Sequence, residues 1–265
     1  MNFLEIQKII ENFCEKIRAD GDFSAKNYGA LPLSDALFCA EDRERNAAFF
    51  RGILAAGKKL PKNFVAIDAG AGLGILGIFA IFAGAKTIFF LEKNPETIFF
   101  AQKLFAIFGK KFFQKKKISA RFFAVDARHF RPPKKFDFLI SETISSGFCA
   151  EDFPKILFHL KKFAAKNAIF CPEKFKISAP EISEKIELFS KTFPAKKTIF
   201  FDEKIPKNIF FEMTTTIFEN EKLKNTASFG NARTFETAKT HPIFDFVAGT
   251  TKNPCEKNNF VGKSF

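Results

Sequence analysis

Tryptophan is absent from this 265-residue chain, tyrosine occurs once and histidine three times, while phenylalanine occurs 41 times. The histidines, His129, His159 and His241, stand far apart and form no HExxH-like cluster. The cysteines (Cys14, Cys39, Cys149, Cys171 and Cys255) are odd in number and include no CxxC pair. That argues against a disulfide framework or a zinc site, and no metal held by the protein is expected. No uninterrupted apolar run reaches the roughly 18 residues of a transmembrane helix, so no membrane association is expected. The opening MNFLEIQKIIENFCEKI carries Glu5, Glu11 and Glu15 and lacks the basic start and unbroken apolar stretch of a signal peptide. The expected compartment is the cytoplasm.

Carboxylates are in deficit. Lysine and arginine total 42 against 29 for aspartate and glutamate, a net charge of +13. Two readings stay open: an anionic partner such as RNA, or a compositional habit that favours lysine as it favours phenylalanine. The phenylalanines themselves read as core rather than as stacking platforms.

Apolar residues at 3, 4, 6, 9, 10, 13, 14 and 17 have helical spacing. A polar, glycine-bearing stretch (19–31) follows, then a helix over about 41–57, EDRERNAAFFRGILAAG, ending at Gly57. From there strands and helices alternate. Strands are expected at 64–68, 87–92, 121–126, 136–142 and 168–171, with helices at 74–83, 95–108 and near 151–163 between them. Strands separated by helix-length segments imply parallel βαβ units. The expected fold is α/β: a Rossmann-like doubly wound sheet over 59–173, preceded by helices covering the cofactor site (1–58) and followed by a smaller, mostly β region (174–265). In that last region KFKISA, KTIFF, NIFFEMTTTIF and PIFDFVAG have strand texture, and the end of the chain reads as loosely ordered. Lys110–Arg121 carries six basic residues and no acid, which reads more readily as a solvated loop than as a binding site.

Residues 67–76 read IDAGAGLGIL. A strand, a glycine-rich turn and a helix together suit an adenosine-bearing cofactor. Gly70 and Gly72 let the backbone turn tightly and approach a ligand with no Cβ in the way, and the helix that follows offers unpaired N–H groups. Glu92 closes the second strand 18 residues after Gly74, where its carboxylate can take both ribose hydroxyls. A dinucleotide site satisfies part of this pattern. Two features point elsewhere. Asp68 stands at the end of the first strand, where its charge would repel a pyrophosphate but suit an ammonium or an ordered water. The third glycine, Gly74, comes two residues after the second rather than three.

This spacing resembles the first motif of the class I S-adenosylmethionine (SAM) methyltransferases. The resemblance implies SAM as cofactor, Glu92 as ribose ligand and Asp126, at the end of the third strand, beside the adenine. Residues 140–151, ISETISSGFCAE, narrow it further. Glu142 and Glu151 stand nine apart, the first at the end of strand four. Methyl transfer to nitrogen needs a lone pair aimed in line at the methyl carbon, and two carboxylates can hold an amino or cationic acceptor in that aim and take up its proton. That pair resembles the double-glutamate loop of the protein arginine methyltransferases. Asp42, Arg45 and Phe49 match the family's helix ahead of the glycine motif, which implies that Arg45 pairs with the SAM carboxylate. IFCPEK (169–174) resembles the family's fifth strand and its link into a β-barrel. The resemblance spans about residues 38–178. It departs after Glu142, where Thr-Ile-Ser-Ser replaces Trp-Met-Gly-Tyr, and in the barrel, where Thr240-His241-Pro242 stands for Thr-His-Trp. The stretch ETISSGFCAE is closer to compact prokaryotic relatives described as predicted RNA methylases.

The expected activity is therefore SAM-dependent methyl transfer to a nitrogen acceptor on a macromolecule, protein or RNA. Two other classes stay in view: an NAD(P)-dependent oxidoreductase, for which the catalytic Tyr-Lys pair is missing, and a non-catalytic SAM-binding module.

Overall fold

The computed structural model describes residues 2–21, 30–143 and 153–179, and beyond them the strand segments 182–189, 208–218, 221–223, 232–236, 246–247, 250–251 and 261–262. The chain opens with helix α1 (Phe3–Asp20), capped by Asn2, whose side chain accepts the Leu4 N–H, and stopped by Gly21 at φ 67°. Its apolar stripe of Ile6, Ile10, Phe13, Cys14 and Ile17 is buried. A second helix, α2 (Leu33–Glu41), starts directly after Pro32 and buries Leu33, Ala36, Leu37 and Ala40. Periodicity alone does not mark these residues as a helix, because nine residues give little more than two turns. Helix α3 (Arg43–Gly57) follows after a one-residue break. There Asp42 leaves the helical region and caps α3 by accepting the Arg45 N–H at 3.0 Å.

The parallel sheet comes next: β1 (Val65–Ala69), β2 (Thr87–Glu92), β3 (Ser119–Ala124), β4 (Phe136–Ser141) and β5 (Ala164–Cys171). Between them run α4 (Ile75–Phe82), α5 (Pro95–Phe108) with a turn of π-helix at Gly109–Phe113, and α6 (Phe153–Lys161). The strand order is β3-β2-β1-β4-β5, with each neighbouring pair parallel. The chain winds outward from β1 through β2 to β3, then crosses back to lay β4 on the other side of β1. This is the doubly wound arrangement expected from the alternation of strands and helices. β3 begins two residues before its expected start, and β5 begins at Ala164, within a stretch too polar to read as a strand.

Phenylalanine supplies much of the core. Phe49, Phe79, Phe89, Phe90, Phe108, Phe136 and Phe138 are fully buried, each contributing on the order of 2–3 kcal/mol of hydrophobic transfer. Phe90 stacks on Phe122 at 4.5 Å and Phe50 meets Phe79 edge-on at 5.1 Å. α4, ILGIFAIF, is apolar all round because it is enclosed between the sheet and α3.

The C-terminal strands form a second, antiparallel sheet. β6 (Lys174–Ala179) pairs with β7 (Ile182–Phe189) and with β8 (Asn208–Phe218). β8 also pairs with β9 (Glu221–Leu223) and with β10 (Ala232–Glu236). Two short segments, β11 (Phe246–Val247) and β12 (Thr250–Thr251), pair with each other, and β13 (Val261–Gly262) pairs with β10. KFKISA and NIFFEMTTTIF are thus strands as expected. KTIFF, most of PIFDFVAG and nearly all of the last fifteen residues lie outside the described residues. β8 and β9 lie against α3, so the second sheet rests on the helix that carries Arg45.

Candidate functional site

Sheet order decides where a ligand can enter. The winding direction reverses between β1 and β4, and a crevice opens beyond their carboxyl ends. Ala69 is in register with Ser141, so the glycine turn after β1 faces Glu142 and Thr143 after β4. Ser141 Oγ donates to the Ala69 carbonyl at 3.0 Å, fastening the two strand ends together.

Gly70, Gly72 and Gly74 all have positive φ, at 71°, 53° and 75°. Each is required for a different reason. A Cβ on Gly70 would collide with Thr143 Cγ2, and one on Gly74 would press on the Phe90 ring at 3.2 Å. A Cβ on Gly72 would meet nothing within 4 Å. The turn is therefore closed on its protein side at Gly70 and Gly74 and open at Gly72. The Gly70 and Ala71 N–H groups donate to the Leu91 carbonyl at 2.8 and 2.9 Å. Gly72 N–H donates to Glu92 Oε2 at 2.9 Å, and Asn94 N–H to Oε1 at 2.9 Å. Glu92 is thus fixed at the mouth by backbone donors on both oxygens, with the Lys93 N–H adding to those of Gly72 and Asn94. Burial pushes its carboxyl above the ordinary value, against those hydrogen bonds. The open position at Gly72, the oriented Glu92 and the start of α4, whose Gly74 supplies no side-chain cap, fit the nucleoside end of a cofactor such as SAM.

Asp68 stands at the end of β1. It is buried, and Oδ2 accepts the Gly77 N–H at 2.8 Å, which directs it into the first turns of α4. Burial pushes its carboxyl up to about 8. Asp126 follows β3. Its carboxylate is clasped by Arg128, with Nε and Nη2 at 3.0 and 2.6 Å from Oδ2, and this pairing lowers it to about 2.

Arg45 and Glu142 come together from positions 97 residues apart. Arg45 Nη2 donates to Glu142 Oε2 at 2.5 Å, with both side chains nearly enclosed. Burial raises the Glu142 carboxyl more than Arg45 lowers it. The guanidinium also lies over the Phe49 ring at 5.3 Å, so the two matched positions of α3 form one unit with the strand-four glutamate. Glu151 and His241 lie outside the described residues.

A supporting chain of buried amides was not expected from the sequence. Arg45 Nη1 donates to Asn46 Oδ1 at 3.0 Å, and Asn46 Nδ2 donates to Gln7 Oε1 at 3.0 Å and to the Ala40 carbonyl at 2.7 Å. Gln7 Nε2 reaches Glu11 Oε1 at 3.1 Å. One signal was available: Gln7 falls on the apolar stripe of α1, where an unpartnered amide would be costly. Asn94 is the other addition. It caps α5 through the Glu96 and Thr97 N–H groups and donates to the Leu31 carbonyl at 3.2 Å. That bond brings the segment before α2 over the end of β2. Among the described residues no group of three or more possible metal ligands occurs, and no helix is long and apolar enough to cross a membrane.

The fold is that of the protein arginine methyltransferase structures. The chain is similar to the Trypanosoma brucei PRMT1 enzyme-prozyme heterotetrameric complex with AdoHcy, with a TM-score of 0.61, 12% identity, and coverage of 83% of this chain and 86% of that one. It is similar to PRMT6-SAH, with a TM-score of 0.58, 12% identity, and coverage of 85% and 97%. It is also similar to Arabidopsis thaliana protein arginine methyltransferase 10, with a TM-score of 0.56, 12% identity, and coverage of 78% and 82%. A scan against protein-family models finds no match, and neither does a comparison with curated protein sequences.

Proposed function

We propose that this protein transfers a methyl group from SAM to a nitrogen atom of a macromolecular acceptor. One observation carries the reading: the Gly72–Glu92 couple and the Arg45–Glu142 pair stand around the same crevice, at the switch point of a methyltransferase fold. Gly70, Gly72 and Gly74 would form the floor of the cofactor site and Glu92 would accept both ribose hydroxyls. Asp68 would hold the turn through Gly77, and Asp126, with Arg128, would border the adenine. Arg45 would meet the cofactor carboxylate while keeping Glu142 in place. The cofactor, when bound, supplies an electrophilic methyl group. Glu142, with Oε2 held by Arg45, would direct Oε1 at the acceptor N–H and aim its lone pair; Glu151 is assigned the partner role by its place in the double-glutamate pattern. Most of the rate enhancement would come from positioning and fixed charge. We retain the division into a helical cover (1–58), a SAM-binding unit (59–173) and a β-rich unit (174–265).

The test has two parts. Isothermal calorimetry with S-adenosylhomocysteine should show Glu92→Ala and Gly72→Asp binding about 100-fold more weakly, the loss of charge-assisted hydrogen bonds in one and the filling of an open cradle in the other. Equal affinity in folded variants would overturn the cofactor assignment. Transfer of label from methyl-labelled SAM to host lysate, followed by RNase or protease, then identifies the acceptor. Label removed by protease and absent with Glu142→Gln supports a protein nitrogen. Label removed by RNase places the same chemistry on RNA.

A further inference from the structure

The five strands of the parallel sheet are entered through five short approaches, and every one brings lysine and no carboxylate. They read GKKLPKNF (57–64) before β1, AGAKT (83–87) into β2, GKKFFQKKKI (109–118) before β3, RPPKKF (131–136) into β4 and KKFA (161–164) into β5. The parallel arrangement places all five along one edge, at the end of the sheet opposite the site. Across the edge, in strand order, lie Lys117, Lys86, Lys62, Lys134 and Lys162. All but the half-buried Lys86 are exposed. Hydrogen bonds bind these approaches into one surface. Lys134 Nζ donates to Thr87 Oγ1 at 3.1 Å, Ser119 N–H to the Lys86 carbonyl at 2.9 Å and Lys86 N–H to the Phe64 carbonyl at 3.0 Å. Acids also come near. Asp137 is half-buried and accepts the Val65 N–H at 2.9 Å; Glu5 pairs with Lys111 at 2.8 Å at the margin.

We infer that this edge docks the phosphate backbone of a nucleic-acid strand. Lysines gathered in excess of carboxylates repel one another, and a polyanion relieves that repulsion while releasing its own counterions. Strands about 4.8 Å apart make the edge about 19 Å wide, which spans roughly five or six phosphates of a stacked strand. Among the described residues of these approaches no phenylalanine is fully exposed: Phe64, Phe113 and Phe136 are buried, Phe163 is half-buried, and the half-buried Phe112 lies under Lys111 at 5.3 Å from its centroid, so the surface offers charge ahead of stacking. Binding is therefore read by phosphate spacing and not by base sequence. The inference stands apart from the cofactor site: the edge would hold a strand, or hold the protein on one, whichever acceptor the opposite end methylates.

The experiment uses the full chain and fluorescein-labelled poly(U) and poly(dT) of about fifteen nucleotides. Binding is followed by anisotropy from about 50 to 300 mM salt. The expected slope of log K against log salt is about −3.5 for five phosphate contacts. Lys117→Glu with Lys135→Glu should lower affinity at least about tenfold at low salt and flatten the slope by about 1.4, two contacts' worth. Lys16→Glu with Lys103→Glu changes the net charge by the same amount on α1 and α5 and should leave affinity within about threefold. The corresponding Lys→Gln pairs repeat the comparison without new charge. S-adenosylhomocysteine affinity serves as the folding control and should be unchanged in all four variants. Tighter binding of poly(U) makes RNA the strand; equal binding makes it either nucleic acid. Equal losses in the edge and control variants, or a wild-type slope near zero, would overturn the inference. Displacement of both strands by poly-L-glutamate of equal charge would overturn it in favour of an acidic protein.

Discussion

The two ends of the parallel sheet are built from opposite materials. At the carboxyl ends stand glycines with positive φ and carboxylates that are buried and individually held: Asp68 by Gly77, Glu92 by Gly72 and Asn94, Glu142 by Arg45. At the amino ends stand mostly exposed lysines, among them Lys134, whose ammonium donates to Thr87 Oγ1, and Lys111, which pairs with Glu5 at the surface. The first end is specified by geometry, and a change of one atom group there disturbs several partners. The second is specified by charge summed over many side chains, and no single lysine decides it. Loss of a residue should therefore be costly and local at one end, cheap and additive at the other.

The largest expected break in that comparison is Arg45→Met. It leaves Glu142 enclosed without its cation, and removing one partner of a buried pair costs about 3–5 kcal/mol. Adding Glu142→Leu should recover most of the loss, because two apolar groups then replace two charges. At the other end, Lys111→Met removes a pair whose side chains are nearly half exposed, 47% and 46%, and should cost less than about 1 kcal/mol. Urea denaturation of the four proteins measures all of this. Similar losses for Arg45→Met and Lys111→Met would mean that the ends do not differ in kind.

Second in size is Gly70→Ala. The position has φ 71°, and a Cβ would run into Thr143. A left-handed alanine plus an enclosed clash should cost about 2–4 kcal/mol in stability and weaken cofactor binding as Thr143 moves. Gly72→Ala lacks the clash and should cost only about 1–2 kcal/mol, so the difference between the two in thermal unfolding isolates the contact between the strand ends.

These pairings show what the sequence could carry. The glycine turn and Glu92 were legible because their partners are near in sequence and the strand–turn–helix grammar is local. The parallel sheet was legible for the same reason. The Arg45–Glu142 pair was not legible from the residues themselves: nothing in two charges 97 positions apart says that they meet, and only a family resemblance placed both at one site. The Asn46–Gln7 bond joins two helices and has no sequence signal beyond an amide on an apolar stripe. Asp126 is the converse case: its partner Arg128 is two residues away and local in the sequence, while its place beside the adenine rests on the resemblance alone. The lysine edge needed topology: Lys110–Arg121 stood out as one basic segment, but only the common direction of five strands gathers it with Lys62, Lys86, Lys134 and Lys162.

A third prediction concerns pH. The folded Asp68 carboxyl keeps its proton to about pH 8, whereas an unfolded aspartate releases it near 4. Between those values the folded state binds more protons, so this group's contribution to stability is complete at low pH and is lost as pH rises toward 8, with a slope of at most about 1.4 kcal/mol per pH unit. Asp68→Asn keeps an acceptor for the Gly77 N–H and cannot titrate. It should be close to wild type at pH 5 and more stable than wild type at pH 8, by denaturant unfolding at both. Glu92 and Glu142 are also raised, so some pH dependence will persist in the variant. A wild-type-to-variant difference that does not change with pH would mean that Asp68 is ionised throughout.

The smallest effect is expected at Gly109, on the lysine end. Its backbone is helical, at φ −55° and ψ −51°, and a Cβ would meet nothing within 4 Å. Unlike the glycines of the cofactor turn, it is not called for by conformation or by space. Alanine there should reduce the freedom of the unfolded chain and raise stability by about 0.4–1 kcal/mol, a shift of a few degrees in Tm. Affinity for S-adenosylhomocysteine should not move, since the residue lies at the far end of α5 from Asn94. A loss of stability instead would mean that the π-turn at Gly109–Phe113 uses the missing side chain, and that the amino end of the sheet also contains a position set by geometry rather than by charge.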